Sequence, residues 1–160
     1  MIDIILLGAG IGSRAKLSYP KQFMRLGGIP ILIHVIKTIQ KSMEMENIYL
    51  TIPEVYMNEY RTILGQYNCN NIVCIPGGET RQESVCIALG YCQNKKVLIH
   101  EIARPFISVK MIENIVNINR PVVAYGVNLI PTIYNELESN YPNRDKLWNI
   151  QLPQTLYTLT

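Results

Sequence analysis

A glycine-rich segment near the N-terminus, accompanied by two cationic side chains, could bind phosphate. Residues 8–14 read GAGIGSR and follow the apolar run 2–7, and Lys21 comes directly after Pro20. Backbone N–H groups in such a turn can approach an anion closely, and the fixed charges of Arg14 and Lys21 would stabilise it. A long glycine loop after a buried strand, flanked by two cations, therefore suits a triphosphate.

Two well-known phosphate loops do not fit this segment. The dinucleotide-binding fingerprint needs a glycine at its sixth position and a helix that starts at once, but this loop has Ser13 there and Pro20 where the helix should run. The Walker loop needs a Gly-Lys-Ser or Gly-Lys-Thr ending, which is absent. A plain tight turn with Arg14 and Lys21 as unrelated surface charges is the alternative, but it leaves Pro20 and the glycines unexplained.

The elements that must position these residues follow from the alternation of apolar runs and amphipathic stretches. Short apolar runs are typical of strands buried in a parallel sheet, and the stretches between them carry apolar residues at helical spacing. The predicted strands are 2–7, 47–52, 71–75, 96–100 and 121–125, and the predicted helices are 30–41, 55–64, 81–92 and 109–116. This pattern predicts an α/β fold of three layers with a mostly parallel sheet.

Composition narrows the functional class. The chain has 160 residues, a net charge of +3, 48% hydrophobic and 17% charged residues, as in an ordinary folded domain. The charge is too small for a nucleic-acid binder and no apolar run is long enough to span a membrane, so we expect neither as a partner. The four cysteines lack zinc-ligand spacing and no secretory signal precedes the first strand, so we expect a cytoplasmic protein without a protein-built metal site.

Four segments of the chain resemble one known family. Residues 7–14 (LGAGIGSR) with 20–23 (PKQF) resemble the signature of the methylerythritol-phosphate cytidylyltransferases and the related ribitol-phosphate cytidylyltransferases. Residues 77–85 (GGETRQESV) resemble the family's G-G-x-x-R-x-x-S-V, 100–106 (HEIARPF) resemble H-D-A-A-R-P-F, and 147–154 (LWNIQLPQ) resemble L-W…Q-T-P-Q. Each segment alone is a weak signal, but all of them occur in the family's order and together span nearly the whole chain.

The resemblance implies a Rossmann-like nucleotidyltransferase fold that transfers CMP from CTP to a polyol phosphate and releases pyrophosphate. Arg14 and Lys21 would be catalytic, and Mg²⁺ would be held mainly by the triphosphate. The resemblance assigns nucleotide binding to Leu7, Gly8, Ala9, Gly10, Gly12, Gly78, Glu79 and Ser84. The backbone of residues 8–12 would surround the triphosphate, and Gly78 and Ser84 would read the cytosine. Acceptor binding is assigned to Glu101, Arg104 and Thr132.

Departures from the family pattern fall on the acceptor side. Glu101 stands where the family has an aspartate, and Pro131 replaces the aspartate that precedes a threonine in the family. Leu152 replaces the threonine of Q-T-P-Q. Members of the family also continue beyond the length of this chain with a further strand, a helix and a lysine.

These features predict one nucleotidyltransferase domain over residues 1–160 that lacks the family's last elements. The resemblance also implies that a short protruding arm at about residues 132–148 clasps a second subunit in a homodimer. Three functions stay open on the sequence alone. The acceptor would be 2-C-methyl-D-erythritol 4-phosphate in isoprenoid precursor biosynthesis or ribitol 5-phosphate for cell-surface polymers. The third possibility is a truncated relative that binds the nucleotide but does not turn it over.

Overall fold

The computed structural model describes residues 1–10, 19–42, 45–128, 130–131, 133–140 and 142–158. The strands are β1 (Ile2–Leu7), β2 (Arg25–Leu26), β3 (Ile29–Pro30), β4 (Met45–Ile52), β5 (Ile72–Pro76), β6 (Lys96–Glu101), β7 (Val122–Asn128) and β8 (Trp148–Tyr157). The helices are α1 (Ile31–Ile39), α2 (Met57–Gln66), α3 (Arg81–Leu89) and α4 (Val109–Val116), and short 3₁₀ turns occur at Lys21–Phe23, Glu54–Tyr56 and Arg144–Lys146.

Six strands form one mixed, mostly parallel sheet in the order β5–β4–β1–β6–β8–β7. The strands β5, β4, β1 and β6 run parallel, whereas β8 is antiparallel to both of its neighbours. The short strands β2 and β3 form a separate antiparallel hairpin. The predicted α/β fold with a mostly parallel sheet is confirmed, and the hairpin and β8 are elements that the sequence pattern did not predict.

Helices cover both faces of the sheet. The helices α1, α2 and α4 pack on one face, against side chains of β1 such as Ile4 and Leu6. The helix α3 packs on the other face, where Ile5 and Leu7 of the same strand lie. Successive side chains of a strand point to opposite faces, so a strand buried on both sides is apolar almost throughout, which explains the run 2–7. Within the described ranges, no helix combines the length and the apolar character that crossing a lipid bilayer requires.

Asp3 is the exception in that run, and its buried carboxylate anchors the start of β1. The residue is 0% exposed. Its oxygens accept hydrogen bonds from the backbone N–H groups of Gln93 (2.6 Å) and Asn94 (2.8 Å) and from the side-chain amides of Asn47 (2.9 Å) and Asn94 (3.0 Å). Burial raises the pKa of the Asp3 carboxyl, but these hydrogen bonds outweigh burial and hold the pKa below its usual value of 3.8.

We expect the Asp3→Ala variant to lose about 3 kcal/mol of unfolding free energy, because buried N–H groups lose their acceptor. The folded-state pKa of Asp3 is lowered, so its ionisation stabilises the fold above the unfolded-state pKa and this contribution is lost as pH falls through the folded-state value. Urea unfolding at about pH 7 and about pH 3 should therefore show a smaller difference between wild type and variant at the lower pH. The exposed Asp145→Ala is the matched control, and equal losses in the two variants would contradict an anchoring role.

The strands β7 and β8 continue together as a ribbon in the region where the arm is expected. Their pairing shifts register after Ala124 and then runs to the pair formed by Asn128 and Trp148. The segment between the two strands exposes apolar side chains, with Ile130 at 83% and Leu137 at 98% exposure. These two side chains therefore lie outside the core.

Candidate active site

A cavity of about 250 Å³ opens at the carboxyl ends of β1, β4 and β6. Loops that leave parallel strands meet at this edge, and it is where open α/β sheets bind ligands. The lining comes from the glycine loop after β1, the 3₁₀ turn that begins at Lys21, the end of β4, the start of α3 and the end of β6. The lining residues are Leu7, Gly8, Ala9, Gly10, Lys21, Gln22, Thr51, Gly78, Glu79, Thr80, Arg81, Ser84, Glu101, Ile102 and Ala103.

Gly8 joins β1 to the glycine loop at a point where backbone packs on backbone. Its N–H donates to the carbonyl oxygen of Thr51 at 2.8 Å. A Cβ at Gly8 would lie 2.9 Å from that oxygen and 3.1 Å from a methyl group of Ile102, so only glycine fits. Because the N–H of Gly8 is already bonded, Gly8 holds the start of the loop. Among the described residues, the N–H groups of Ala9 and Gly10 are the loop donors without a hydrogen-bond partner.

Lys21 faces the cavity because the two residues after it are anchored inward. Gln22 is 1% exposed, and its Nε2 donates to the carbonyl oxygen of Gly8 at 2.7 Å. The ring of Phe23 packs on the ring of Tyr60, with centroids 4.6 Å apart. The 3₁₀ turn therefore leaves the exposed Lys21 side chain on the cavity side.

The start of α3 forms a second wall of the cavity and touches the glycine loop. Thr80 caps the helix by accepting a hydrogen bond from the backbone N–H three residues on, at 3.1 Å. The buried hydroxyl of Ser84 accepts from the N–H of Gly78 at 3.1 Å and donates to the carbonyl of Thr80 at 3.0 Å. A Cβ at Gly77 would lie 2.2 Å from the Cβ of Ala9. The segment predicted to read the base is thus in contact with the loop predicted to hold the triphosphate.

Glu101, at the end of β6, lies among three cations. The Nε atom of Arg104 is 2.7 Å from one of its carboxylate oxygens, and the Nε atom of Arg81 is 3.7 Å from the other. Partial burial raises the pKa of Glu101, but the hydrogen bond from Arg104 and the charges of Arg104, Arg81 and Lys21 outweigh burial and keep the pKa below its usual value of 4.5. The ionised carboxylate therefore links this cavity to Arg104.

Arg104 is held from two further directions. Its Nη1 donates to Oε1 of Gln151 at 3.2 Å, and its backbone carbonyl accepts from Nε2 of His100 at 3.0 Å. Burial lowers the pKa of His100 more than its contacts raise it, so the imidazole is neutral and a structural support. Arg104 also borders a second, largely apolar cavity of about 410 Å³, which Leu152 lines. Its half-exposed guanidinium is thus held in one orientation by Glu101 and Gln151.

The structure brings most of the predicted site residues together. Those around the cavity are Leu7, Gly8, Ala9, Gly10, Lys21, Gly78, Glu79, Ser84 and Glu101. Arg104 does not line this cavity and is connected to it through Glu101. Gly12, Arg14 and Thr132 lie outside the described residues.

Sequence reasoning did not assign Gln22, Thr51 or Arg81 to the site, although they line the cavity. Gln22 and Arg81 belong to the segments PKQF and GGETRQESV, so their proximity to motif residues was the available signal. Thr51 carried no signal beyond its place near the end of a predicted strand.

Comparison with known proteins relates the chain to one enzyme family. The model of the 2-C-methyl-D-erythritol 4-phosphate cytidylyltransferase family matches residues 2–159. The enzyme of that name from Thermosipho melanesiensis is 34% identical, over 96% of this chain and 71% of its own length. The bifunctional enzyme IspD/IspF of Desulfotalea psychrophila is 30% identical over 94% of this chain, which spans only 41% of that larger protein.

A solved structure shows the same fold. The crystal structure of 4-diphosphocytidyl-2C-methyl-D-erythritol synthase from Anaerococcus prevotii matches with a TM-score of 0.82, at 26% identity, over 98% of this chain and 70% of its own. The sequence comparison and the structural comparison therefore point to the same family, each over nearly the whole chain. The chain belongs to the 2-C-methyl-D-erythritol 4-phosphate cytidylyltransferase family, the cytidylyltransferases of isoprenoid biosynthesis.

Proposed function

We propose that this chain transfers the CMP group of CTP to 2-C-methyl-D-erythritol 4-phosphate and releases pyrophosphate. The cavity in which the glycine loop, Lys21 and residues 78–84 meet supports this function most directly. Beside it, the pair formed by Glu101 and Arg104 offers an oriented guanidinium to a second, phosphate-bearing substrate. Membership of the family supports the same reaction.

The reaction requires charge stabilisation rather than a covalent nucleophile. An oxygen of the acceptor phosphate, already an anion, attacks the α-phosphorus of CTP and forms the new P–O bond. The bond from the α-phosphorus to the bridging oxygen breaks, and its electron pair leaves with pyrophosphate. Lys21, and by our proposal Arg14, would neutralise the charge that builds up around the α-phosphorus. The protein thus contributes positioning and electrostatics.

Mg²⁺ is proposed to enter with the triphosphate. In the part of the chain that the structure describes, no group of three His, Cys, Asp or Glu side chains could hold a metal ion. The Glu101 carboxylate is already bonded to Arg104. Mg²⁺ readily takes its ligands from phosphate oxygens and water, so an ion that binds with the triphosphate needs few ligands from the protein. When bound, the ion would polarise and neutralise the phosphate oxygens.

Ribitol 5-phosphate is the second acceptor to compare. Leu152, 8% exposed beside Arg104, offers no hydroxyl to an acceptor phosphate, unlike the threonine of the family pattern. Glu101 is one methylene longer than the family's aspartate. The family model and the named relatives favour 2-C-methyl-D-erythritol 4-phosphate, and these two departures are the reason to test both acceptors.

Pyrophosphate release from CTP and Mg²⁺ tests the proposed function, with the two polyol phosphates offered side by side. We expect release with 2-C-methyl-D-erythritol 4-phosphate to exceed release with ribitol 5-phosphate, and neither to occur without an acceptor. If both acceptors fail while CTP still stabilises the fold, the chain is instead a nucleotide-binding relative without turnover.

We also propose a single nucleotidyltransferase domain over residues 1–160 that forms a homodimer through its arm. One sheet connects the described elements from β5 to β7. The ribbon exposes Trp148 (57%) and Ile150 (58%), and the segment between its two strands exposes Leu137 (98%). A second copy could bury these side chains. Sedimentation equilibrium should give the mass of two chains, and a monomer mass at the working concentration would contradict the dimer.

The Ser84→Ala variant is expected to bind CTP about tenfold more weakly, because the backbone at Gly78 loses the hydroxyl that orients it. The measurement is the rise in unfolding temperature on adding CTP, compared with ATP. Wild type should respond to CTP and little to ATP, and the variant should respond less to CTP. Ser108→Ala, at the start of α4, is the matched control for a serine at a helix N-terminus. A full CTP response in Ser84→Ala would contradict its role.

A further inference from the structure

Gln22 and Tyr60 converge on one backbone carbonyl of the glycine loop. The Nε2 atom of Gln22 lies 2.7 Å from the carbonyl oxygen of Gly8, 3.4 Å from that of Gly10 and 2.5 Å from the hydroxyl oxygen of Tyr60. The Tyr60 hydroxyl in turn donates to the carbonyl of Gly8 at 3.2 Å. Both side chains are buried, at 1% and 0% exposure, so water does not compete for these hydrogen bonds.

These hydrogen bonds set the orientation of the peptide between Gly8 and Ala9. In a planar trans peptide the C=O and N–H groups point in opposite directions, so fixing the carbonyl of Gly8 also fixes the N–H of Ala9. The preceding peptide is fixed as well, because the N–H of Gly8 donates to Thr51. Ala9 lines the nucleotide cavity, and its N–H has no partner among the described residues. Its direction therefore depends on Gln22 and Tyr60.

The same two side chains also fix Lys21. Lys21 begins the 3₁₀ turn, and Gln22 is the next residue. Phe23, which ends the turn, packs on the ring of Tyr60 with centroids 4.6 Å apart. Tyr60 thus contacts the glycine loop through its hydroxyl and the Lys21 turn through Gln22 and Phe23. One buried residue of α2 is the common support of both parts of the nucleotide site.

We propose that Gln22 and Tyr60 are positioning residues for CMP transfer, holding the Ala9 N–H and the Lys21 side chain in one fixed arrangement around the triphosphate. This role presupposes the proposed nucleotide function of the cavity. Neither side chain needs to touch the reacting atoms. Burial raises the pKa of Tyr60 far above its usual value of 10.0, although the hydrogen bond from Gln22 acts in the opposite direction. The hydroxyl therefore remains a donor at any working pH.

Two variants remove the hydrogen bonds while keeping the packing. Tyr60→Phe retains the ring against Phe23, and Gln22→Met retains the approximate shape of the side chain. We expect each to weaken CTP binding about tenfold and to lower kcat for CMP transfer about tenfold to a hundredfold, because a small displacement of positioned groups is costly to the rate. Calorimetric titration of CTP gives the affinity, and pyrophosphate release gives kcat.

Tyr56→Phe is the matched control. Its ring meets Phe23 edge-on, with centroids 6.3 Å apart, and its hydroxyl has no hydrogen bond within the described part of the chain. The control should behave as wild type. If Gln22 and Tyr60 had a merely structural role, their variants would unfold at a lower temperature than wild type. At assay temperatures well below that unfolding temperature, the CTP affinity and kcat of the variants would stay within about twofold of wild type. That result would overturn the proposal.

Gln22→Glu tests hydrogen-bond donation itself. A carboxylate cannot donate to the carbonyl of Gly8, whereas a protonated carboxyl can. Tyr60 of α2 bonds to Gln22, and Cys74 of β5 acts electrostatically on Tyr60. The charged residues that line the same cavity as Gln22 are Lys21, Glu79, Arg81 and Glu101. The CTP affinity of Gln22→Glu relative to wild type should rise as pH falls from about 8 to about 6, while the relative affinity of Gln22→Met stays flat. A ratio near one at about pH 8, or a ratio that falls as the pH is lowered, would overturn the donor role of Gln22.

Failure of this role can be distinguished from failure of the proposed function. If wild type binds CTP but releases no pyrophosphate with either acceptor, the transferase function fails, and the CTP affinities of the variants still decide the role of Gln22 and Tyr60. If wild type turns over and both variants match it in affinity and kcat, the function stands and the positioning role is overturned. If wild type does not bind CTP, both are overturned.

Discussion

Replacing Lys21 by alanine is expected to lower the turnover number for CMP transfer by about a hundredfold or more, while CTP affinity falls much less. Lys21 lines the cavity beside the glycine loop, on a turn whose next residue is buried and bonded to Gly8. We therefore expect its charge to lie where negative charge builds up during in-line attack. An interaction that strengthens in the transition state affects kcat more than ground-state binding.

Lys110→Ala, on the exposed side of α4, is the matched control and should retain wild-type turnover. The turnover number comes from pyrophosphate release at saturating CTP, and the CTP affinity from direct titration. If the loss of CTP affinity accounted for the whole effect of Lys21→Ala, Lys21 would serve ground-state binding only. Near-normal turnover of the Lys21→Ala variant would show that Lys21 has no catalytic role.

The second large effect is expected at Arg104. We expect Arg104→Ala to raise the KM for the acceptor about tenfold to a hundredfold and to leave CTP affinity nearly unchanged, because charge-assisted hydrogen bonds to phosphate are strong. The guanidinium is oriented by Glu101 at 2.7 Å and by Gln151 at 3.2 Å, and it lies outside the lining of the cavity that Lys21 borders. Initial rates at varied acceptor, with CTP saturating, measure the KM.

Arg104→Lys keeps the charge but loses the planar fork, so its acceptor KM should fall between those of wild type and Arg104→Ala. Arg120→Ala, at an exposed position beyond the end of α4, should have no effect. An equal loss of CTP affinity and acceptor affinity in Arg104→Ala would show that Arg104 belongs to the nucleotide site. It would also remove the basis for placing the acceptor beside Glu101.

The central strands could be predicted because burial on both faces leaves a signal in the sequence. β1 occupies Ile2–Leu7, the same residues as the predicted strand, since its side chains pack on both sides of the sheet. The helices were predicted by their apolar spacing, and their ends shifted by a few residues. The helix predicted over 81–92, for example, ends at Leu89. Helix ends depend on capping and local packing more than on periodicity.

The hairpin and β8 were not predicted, for different physical reasons. β2 and β3 are two residues each, too short for any periodicity, although Gly27 and Gly28, both at positive φ, are a known hairpin signal. β8 mixes exposed and buried positions without regular alternation. It is stabilised by pairing with β6 and β7, which are distant in sequence. Such pairing leaves little trace in a local pattern.

The chemistry-bearing residues of the site were found through motifs, but their supports were not. Tyr60 is a buried residue of α2, and its spacing in the predicted helix 55–64 indicates only packing. Gln22 belongs to the segment PKQF but had no assigned role. Their shared bond to the Gly8 carbonyl joins α2 to the glycine loop. A hydrogen bond from a side chain to distant backbone has no sequence period, so only the structure reveals it.

The central claim, that this cavity transfers CMP to a polyol phosphate, is tested most directly by following the label from CTP carrying ³²P at its α-phosphate. With Mg²⁺ and 2-C-methyl-D-erythritol 4-phosphate, we predict that the label moves into a cytidine-diphosphate-linked product, with one pyrophosphate released for each product formed. The Lys21→Ala variant should form this product at about a hundredth of the wild-type rate or less. Labelled CTP that binds but stays unconverted, or that yields only CMP whether or not an acceptor is present, would contradict the claim.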